Sequence, residues 1–265
     1  MIDMDNVAAV ILAAGKGTRM KSGLVKVLHQ AAGRPMIAWP VDAARAAGAK
    51  RIVLVVGHQA DTVKAGFKDA EDISCALQEE QLGTGHAVAC ARTALHDFHG
   101  TVLILCGDTP LLRTETLAQL IRQHRENRAA ITVLTAVVDN PFGYGRVIRD
   151  ADSQVSAIVE QKDATPEQQS VREINSGIYC MESDFLFNNI GSVSSDNAQG
   201  EFYLTDLIGI ANSKGARCMS VTADDCDEIM GVNDRAQLAA ASRILRQRIN
   251  QELMDSMRNV SSRLD

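Results

Sequence analysis

Short, almost uninterrupted apolar runs alternate with amphipathic stretches through the first half of the chain. Val7 to Leu12, Arg51 to Val56, Thr101 to Cys106 and Ala130 to Val138 are the runs, and most end in glycine or polar residues. Segments this short and apolar on both faces predict buried strands of a parallel sheet. The stretches between them, Met36 to Ala47, Asp61 to Phe67, Gly85 to Leu95 and Thr114 to Asn127, predict helices. Pro40 falls inside the first of these and lacks a backbone donor, which predicts a kink or a late start. Strands alternating with helices imply βαβ crossovers and an α/β fold whose mostly parallel central sheet is covered on both faces.

Beyond about Asn140 the pattern shortens. Arg146 to Arg149, Val155 to Glu160 and Glu173 to Tyr179 predict strands separated by polar turns. They form a smaller, hairpin-rich lobe that carries its own residues to the same cleft. Arg235 to Met257, with apolar residues at helical spacing, predicts one long amphipathic C-terminal helix. No internal repeat or low-complexity tract interrupts this order.

Composition narrows the function classes. The chain has 265 residues, 46% hydrophobic and 23% charged, the proportions of an ordinary globular protein. A net charge of −6 argues against a general nucleic-acid binder, so any recognition of phosphate is local. Charges break every apolar run too early for a membrane span, and Met1 to Asp5 lacks the basic opening of a secretory signal. The six cysteines, Cys75, Cys90, Cys106, Cys180, Cys218 and Cys226, form no C-x-x-C pair. They read as structural thiols in a reducing, cytoplasmic setting rather than a zinc site or disulfide framework.

The most informative stretch follows the first strand: Leu12-Ala13-Ala14-Gly15-Lys16-Gly17-Thr18-Arg19-Met20. Glycines at 15 and 17 let backbone amides approach phosphate oxygens. Lys16, Arg19 and Lys26 supply charge for a triphosphate and its leaving pyrophosphate. A dinucleotide fingerprint requires a third glycine where Met20 stands, and a Walker A loop requires a different spacing before Gly-Lys-Ser/Thr. Both are excluded. A loop that merely turns the chain has no need of Lys16, Arg19, Lys21 and Lys26 so close together.

Gly107 and Asp108 stand where the third long strand stops, in the crevice where α/β sheets bind ligands. A carboxylate there is suited to Mg²⁺, which bridges phosphate oxygens, although an Asp before Pro110 also suits a turn. Asn233 is a second oxygen ligand or, equally, the N-cap of the final helix.

Taken together these segments resemble the sugar-nucleotide pyrophosphorylases, a nucleotidyltransferase family with a Rossmann-like fold. The nearer likeness is to the uridyltransferase domain of the bacterial N-acetylglucosamine-1-phosphate uridyltransferases. It rests on the loop from Leu12, Lys26-Val27-Leu28-His29, Gln78 to Ala87 (Q-E-E-Q-L-G-T-G-H-A), Gly107 to Leu111, and Gly143-Tyr144-Gly145-Arg146. It continues in Glu160 to Ala164 (E-Q-K-D-A), Glu173 to Gly177, Asn197 to Asp206 (N-A-Q-G-E-F-Y-L-T-D) and Gly231-Val232-Asn233.

The resemblance implies that Asp108 and Asn233 carry Mg²⁺ and that Arg19 and Lys26 hold phosphates. Leu12, Ala13, Ala14 and Gly15 shape the nucleotide pocket with Gly107, while Gln78, Gly83 and Thr84 recognise uracil. Gly145, Glu160, Asn175, Tyr203 and Thr205 line the sugar pocket. The implied substrates are UTP and N-acetylglucosamine 1-phosphate, with no nucleic-acid or membrane partner. The implied organisation is a nucleotidyltransferase domain over 1–232, its nucleotide part about 1–140 and its sugar lobe about 141–232. Residues 233–265 form the C-terminal helix and tail.

Relatives commonly continue into a left-handed β-helix acetyltransferase domain, whose six-residue repeats are not found here, so oligomeric state is left open. Val25 stands where the family usually has proline. Two other readings stay in play: the same reaction with another base or sugar, and a non-catalytic sensing module on the same fold.

Overall fold

The computed structural model describes residues 6–261. Met1 to Asp5 and the last four positions, with the end of the polar tail, lie outside the described residues. The elements in chain order are β1 (Val7–Ala13), the small hairpin β2 (Gln30–Ala31) and β3 (Arg34–Pro35), α1 (Ala38–Ala46), β4 (Ala49–Val56), α2 (Ala60–Ala65) and β5 (Ile73–Leu77). Next come α3 (Thr84–Cys90), β6 (Thr101–Cys106), α4 (Thr114–Glu126), β7 (Ile131–Val137), β8 (Arg146–Arg149), β9 (Val155–Val159) and α5 (Pro166–Gln169). The chain continues through β10 (Glu173–Glu182), α6 (Ser183–Asn189), α7 (Asp206–Ser213), β11 (Cys218–Thr222) and α8 (Arg235–Ser261).

The main sheet runs β11-β7-β10-β6-β1-β4-β5, with the β8–β9 hairpin attached to β10. The β1–β4, β1–β6, β4–β5 and β7–β11 pairs are parallel, while β10 runs antiparallel between β6 and β7. Alternate residues of β1 face opposite layers. Val7, Ala9, Ile11 and Ala13 join the side packed by α1 and α4; Ala8 and Val10 join the side packed by α3, α6 and α7. With both faces covered, β1 shows no polar alternation, and truncating a fully buried residue such as Ile11 to Ala would cost about 2–5 kcal/mol.

Pro40 is the third residue of α1, in the first turn, where a missing N–H breaks no intrahelical bond. The late start is what occurs. The predicted strand from Glu173 runs on to Glu182, past an irregularity between Asn175 and Tyr179. β5 and β11, both at sheet edges, and the helices α6 and α7 were not anticipated. A third apolar cluster (Ala31, Met36, Leu111, Val232, Ala241 and Leu245) seats the start of α8 against the β2–β3 hairpin.

Candidate active site

β1 has β4 on one side and β6 on the other, and the crevice opens where β1 and β6 end together. Leu12 pairs with Cys106, and the Gly107 amide donates to the Leu12 carbonyl at 2.9 Å. A side chain at Gly107 would sit 3.0 Å from that oxygen, so the two strand ends meet at glycine separation. The loop after β1 then turns through Gly17 at φ +60°, and Lys26 passes directly over it. Val25 begins the short turn that presents Lys26 at φ −53°, a value proline also adopts. The backbone at Val25 is thus one that a proline would also fit. Gly15, by contrast, faces open space.

Four side chains from remote parts of the sequence converge above these strand ends. Lys26 Nζ pairs with Asp108 Oδ2 and also donates to Asn233 Oδ1 at 3.2 Å. Arg19 donates to the same Asn233 oxygen at 2.9 Å. Asn233 is not the helix cap: Asp234 takes that role, accepting from the Gln237 amide at 2.8 Å. Gln237 Oε1 in turn accepts the Asn233 N–H at 2.7 Å, while the Asn233 side-chain amide donates to the Gly231 carbonyl at 3.1 Å, which turns Oδ1 towards Lys26 and Arg19. Val232 N–H donates to the Asp108 carbonyl at 2.8 Å, and Arg235 donates to the carbonyls of Met20 and Lys21. The head of α8 thus clamps both the glycine loop and the segment bearing Asp108.

One wall of the cleft is the turn into α3. Gln78 is almost wholly buried, and its amide donates to the Gly83 carbonyl at 3.2 Å and lies 3.1 Å from His86 Nδ1. Gly83 adopts φ +109°, and a Cβ there would meet the Phe202 carbonyl at 2.6 Å; one at Gly85 would meet it at 2.9 Å. The glycines of L-G-T-G are required by the close passage of the Phe202 backbone. Phe202 N–H donates to Leu82 O (2.8 Å), Gly85 N–H to Phe202 O (2.7 Å) and Leu204 N–H to Thr84 Oγ1 (3.0 Å).

The predicted sugar residues, Gly145, Glu160, Asn175, Tyr203 and Thr205, do not line the cavity that holds Lys26 and Asp108; they form a neighbouring group. A Cβ on Gly145 would stand 3.2 Å from Glu160 Oε1, and Asn175 N–H donates to the Gly145 carbonyl at 2.9 Å. Asn175 Oδ1 accepts from Gly177 N–H (3.0 Å) and Tyr179 Oη (2.9 Å), which points its amide nitrogen away from those partners. Burial, then the charges of Asp163, Asp206 and Glu201, push the Glu160 carboxyl above the usual range, against the pull of Arg146. Tyr203 and Thr205 are buried, and the Thr205 hydroxyl has no hydrogen-bond partner among the described residues.

A cavity of about 300 Å³ lies over the strand ends, lined by Leu12, Ala13, Ala14, Gly15, Lys26, Gln78, Gly83, Thr84 and Asp108. Arg19 and Asn233 reach it through the hydrogen bonds to the Lys26 cluster, and Gly107 stands between its lining residues Cys106 and Asp108 without lining it. A larger groove, of about 610 Å³, runs between Trp39 and α8 but holds none of these groups.

The nucleotidyl transferase family profile matches residues 8–227, from the first strand to the segment before Asn233. The chain belongs to the nucleotidyl transferase family. Relatives described as bifunctional protein GlmU are 69% identical in Pelobacter propionicus, 63% in Trichlorobacter lovleyi and 61% in Geobacter metallireducens. The matches cover 93–95% of this chain and 53–55% of those proteins, so the chain spans about half the length of the curated relatives it matches. Among solved structures, a Bacillus anthracis chain proposed as a glucose-1-phosphate thymidylyltransferase superposes with a TM-score of 0.74 at 18% identity. That match covers 91% of this chain and 95% of the other, and it shows the shared fold.

This nucleotidyl transferase uses residues that sequence reasoning left unassigned. Gln81 donates its side-chain amide to the Ala14 carbonyl and lines the cavity, fastening the α3 turn to the glycine loop. Cys106 also lines it; burial pushes its thiol up to about 12, so it stays a neutral, weakly polar wall. Arg146 is buried, bonds the Tyr144 carbonyl and Gln161 Oε1, and with Gln161 holds the loop before Gly145. Gln81 and Arg146 both sit inside segments already singled out, and only their reach across the chain was hidden. All six cysteines carry free thiols. No helix among the described residues is long and apolar enough to cross a membrane.

Proposed function

We propose that the chain transfers UMP from UTP to N-acetylglucosamine 1-phosphate, releasing pyrophosphate and forming UDP-N-acetylglucosamine. The observation that carries this reading is the convergence of Lys26, Arg19, Asp108 and Asn233 at the switch point of the sheet. It stands beside the α3 turn, where Gln78, Gly83 and Thr84 line the same cavity. The GlmU relatives and the resemblance of the Q-L-G-T-G-H-A, E-Q-K-D-A and N-A-Q-G-E-F-Y segments support the choice of base and sugar.

A phosphate monoester oxygen is already an anion, so attack on the α-phosphorus needs no general base. The chain's work is alignment and charge stabilisation. Lys26 and Arg19 neutralise phosphate oxygens, and both are held by bonds to Asn233 that a polyanionic ligand competes for. Gly83 and Thr84 offer peptide groups to a pyrimidine edge, and Gln78, which lines the same cavity, also holds the turn through its bond to the Gly83 carbonyl. Glu160, Asn175, Tyr203 and Thr205 present acceptors and donors suited to sugar hydroxyls and an N-acetyl group.

Asp108 and Asn233 fit a divalent cation of the Mg²⁺ type. Their oxygens already converge on one cationic point, Lys26 Nζ, and both are hard donors. An ion of this type keeps waters and binds through one or two protein oxygens together with substrate phosphates. When bound, such an ion supplies charge neutralisation at the phosphates.

The test is pyrophosphate release from UTP with N-acetylglucosamine 1-phosphate and Mg²⁺, beside Asp108→Ala. Release that disappears in the variant and is absent with glucose 1-phosphate establishes reaction and sugar. No release from folded protein with any nucleotide–sugar pair refutes the reading.

A further inference from the structure

The turn into α3 and the turn after β9 are joined by one loop, residues 197–205, which is tied to both. On the nucleotide side it forms the three bonds from Phe202 and Leu204 to Leu82, Gly85 and Thr84. On the sugar side its only described hydrogen bonds to the turn after β9 go to a single carboxylate. Asp163 Oδ1 accepts the Ala198 N–H at 2.8 Å, and Asp163 Oδ2 accepts the Tyr203 hydroxyl at 3.3 Å. Tyr203 Oη in turn accepts from Gln199 Nε2 at 2.7 Å. Within the loop, Asn197 Oδ1 accepts from Gln199 N–H and Glu201 N–H, and its amide donates to the Glu201 carbonyl at 2.5 Å. The loop therefore holds its own shape.

Asp163 raises the carboxyls of both Glu160 and Asp206, so it stands among like charges. Its own N–H donates to the Glu160 carbonyl at 3.0 Å, which fixes Asp163 to the residue that faces the sugar. A neutral residue there would relieve the repulsion but lose a charge-assisted acceptor for two donors.

We propose that Asp163 is a positioning residue: it latches the 197–205 loop to the Glu160 turn, and so sets the predicted sugar residues in register with the Gly83–Gly85 turn. This rests on the function proposed above for its kinetic consequence, though not for its structural one. The latch acts through Tyr203 and Ala198, and through Phe202 it reaches Gly85 in α3. Loss of the latch misaligns the two substrates, an effect that falls on turnover and on the sugar phosphate more than on the nucleotide.

The experiment pairs amide hydrogen exchange with steady-state kinetics on Asp163→Ala, Asp163→Asn and Tyr203→Phe. In Asp163→Ala, exchange at Phe202 and Gly85, not only at Ala198, is expected to accelerate by ~10-fold or more while the β1 and β6 amides keep their protection. The KM for sugar phosphate is expected to rise and kcat to fall, each by roughly 10-fold, with the KM for UTP changed by less than about 3-fold. Asp163→Asn keeps an acceptor for Ala198 and restores most of both; Tyr203→Phe, which loses one bond, falls between. Unchanged exchange at Phe202 and Gly85 overturns the latch, as does an equal rise in both KM values. If wild-type protein turns over no UTP, the function fails, and the exchange data alone decide the latch. Should Asp163→Ala not fold, the Asn and Phe variants carry the same comparison.

Discussion

Lys26 lies across Gly17 so closely that a Cβ at position 17 would stand 2.5 Å from Lys26 Cβ. The glycine has two reasons to be there, since its φ of +60° also disfavours any side chain. Gly17→Ala therefore strains the loop and pushes the lysine off Asp108 and Asn233. The left-handed conformation alone costs about 1–2 kcal/mol. Thermal unfolding should register that modest loss, while pyrophosphate release falls by roughly 10²-fold because the displaced cation no longer meets the phosphates.

Asp108 is tied to Lys26 through its side chain and to Val232 through its carbonyl. Asp108→Asn keeps the backbone tie and removes the charge. Turnover at saturating UTP should drop by about 10²-fold or more, and a titration should require a higher Mg²⁺ concentration to reach half its maximum. Chelation with EDTA should abolish wild-type activity, with recovery on adding Mg²⁺. Activity indifferent to chelator would remove the metal from the mechanism.

Why some of this was legible in the sequence and some was not follows from the burial of each element. β1, β4, β6 and β7 are buried on both faces and announce themselves as apolar runs. β5 and β11 lie at sheet edges, half-exposed, and Ile73-Ser74-Cys75-Ala76-Leu77 or Cys218-Met219-Ser220-Val221-Thr222 carries little contrast with a loop. The charged and glycine-rich motifs marked the cleft because their residue types have few other uses. What sequence spacing withholds is pairing at long range. Gln81 reaches Ala14, Asp163 reaches Ala198, and Arg235 holds Met20 from 215 positions away. Asn233 is instructive: two roles suited it equally until Asp234 was seen to cap α8, which left Asn233 Oδ1 for Arg19 and Lys26.

Gly83 is held open by the Phe202 carbonyl, 2.6 Å from where its Cβ would be. Gly83→Ala should separate the α3 turn from the 197–205 loop. The expected result is a KM for UTP raised by ~10-fold or more, because the peptide groups at 83 and 84 no longer meet the base in place. Profiling with CTP and TTP should show discrimination narrowing in the same variant. Wild-type KM and selectivity in Gly83→Ala would count against recognition by this turn.

Glu160 offers a prediction that needs no substrate. Its carboxyl is raised first by burial and then by Asp163, Asp206 and Glu201, with Arg146 opposing. A carboxyl whose folded pKa lies above its unfolded value favours the folded state only while it stays protonated. Below the ordinary glutamate range it is neutral in both states and costs nothing. As pH rises through the raised folded value, ionisation inside the cleft removes stability. Glu160→Gln abolishes that term while keeping the shape of the side chain. Thermal unfolding at pH 7–8 should therefore show the variant more stable than wild type, and the difference should shrink towards zero as pH is lowered to about 4. The same variant should bind sugar phosphate more weakly at neutral pH, since the ionised acceptor for sugar hydroxyls is gone. A variant less stable than wild type at neutral pH would mean that Arg146 outweighs burial and the three acids, and that Glu160 is a structural ion-pair partner.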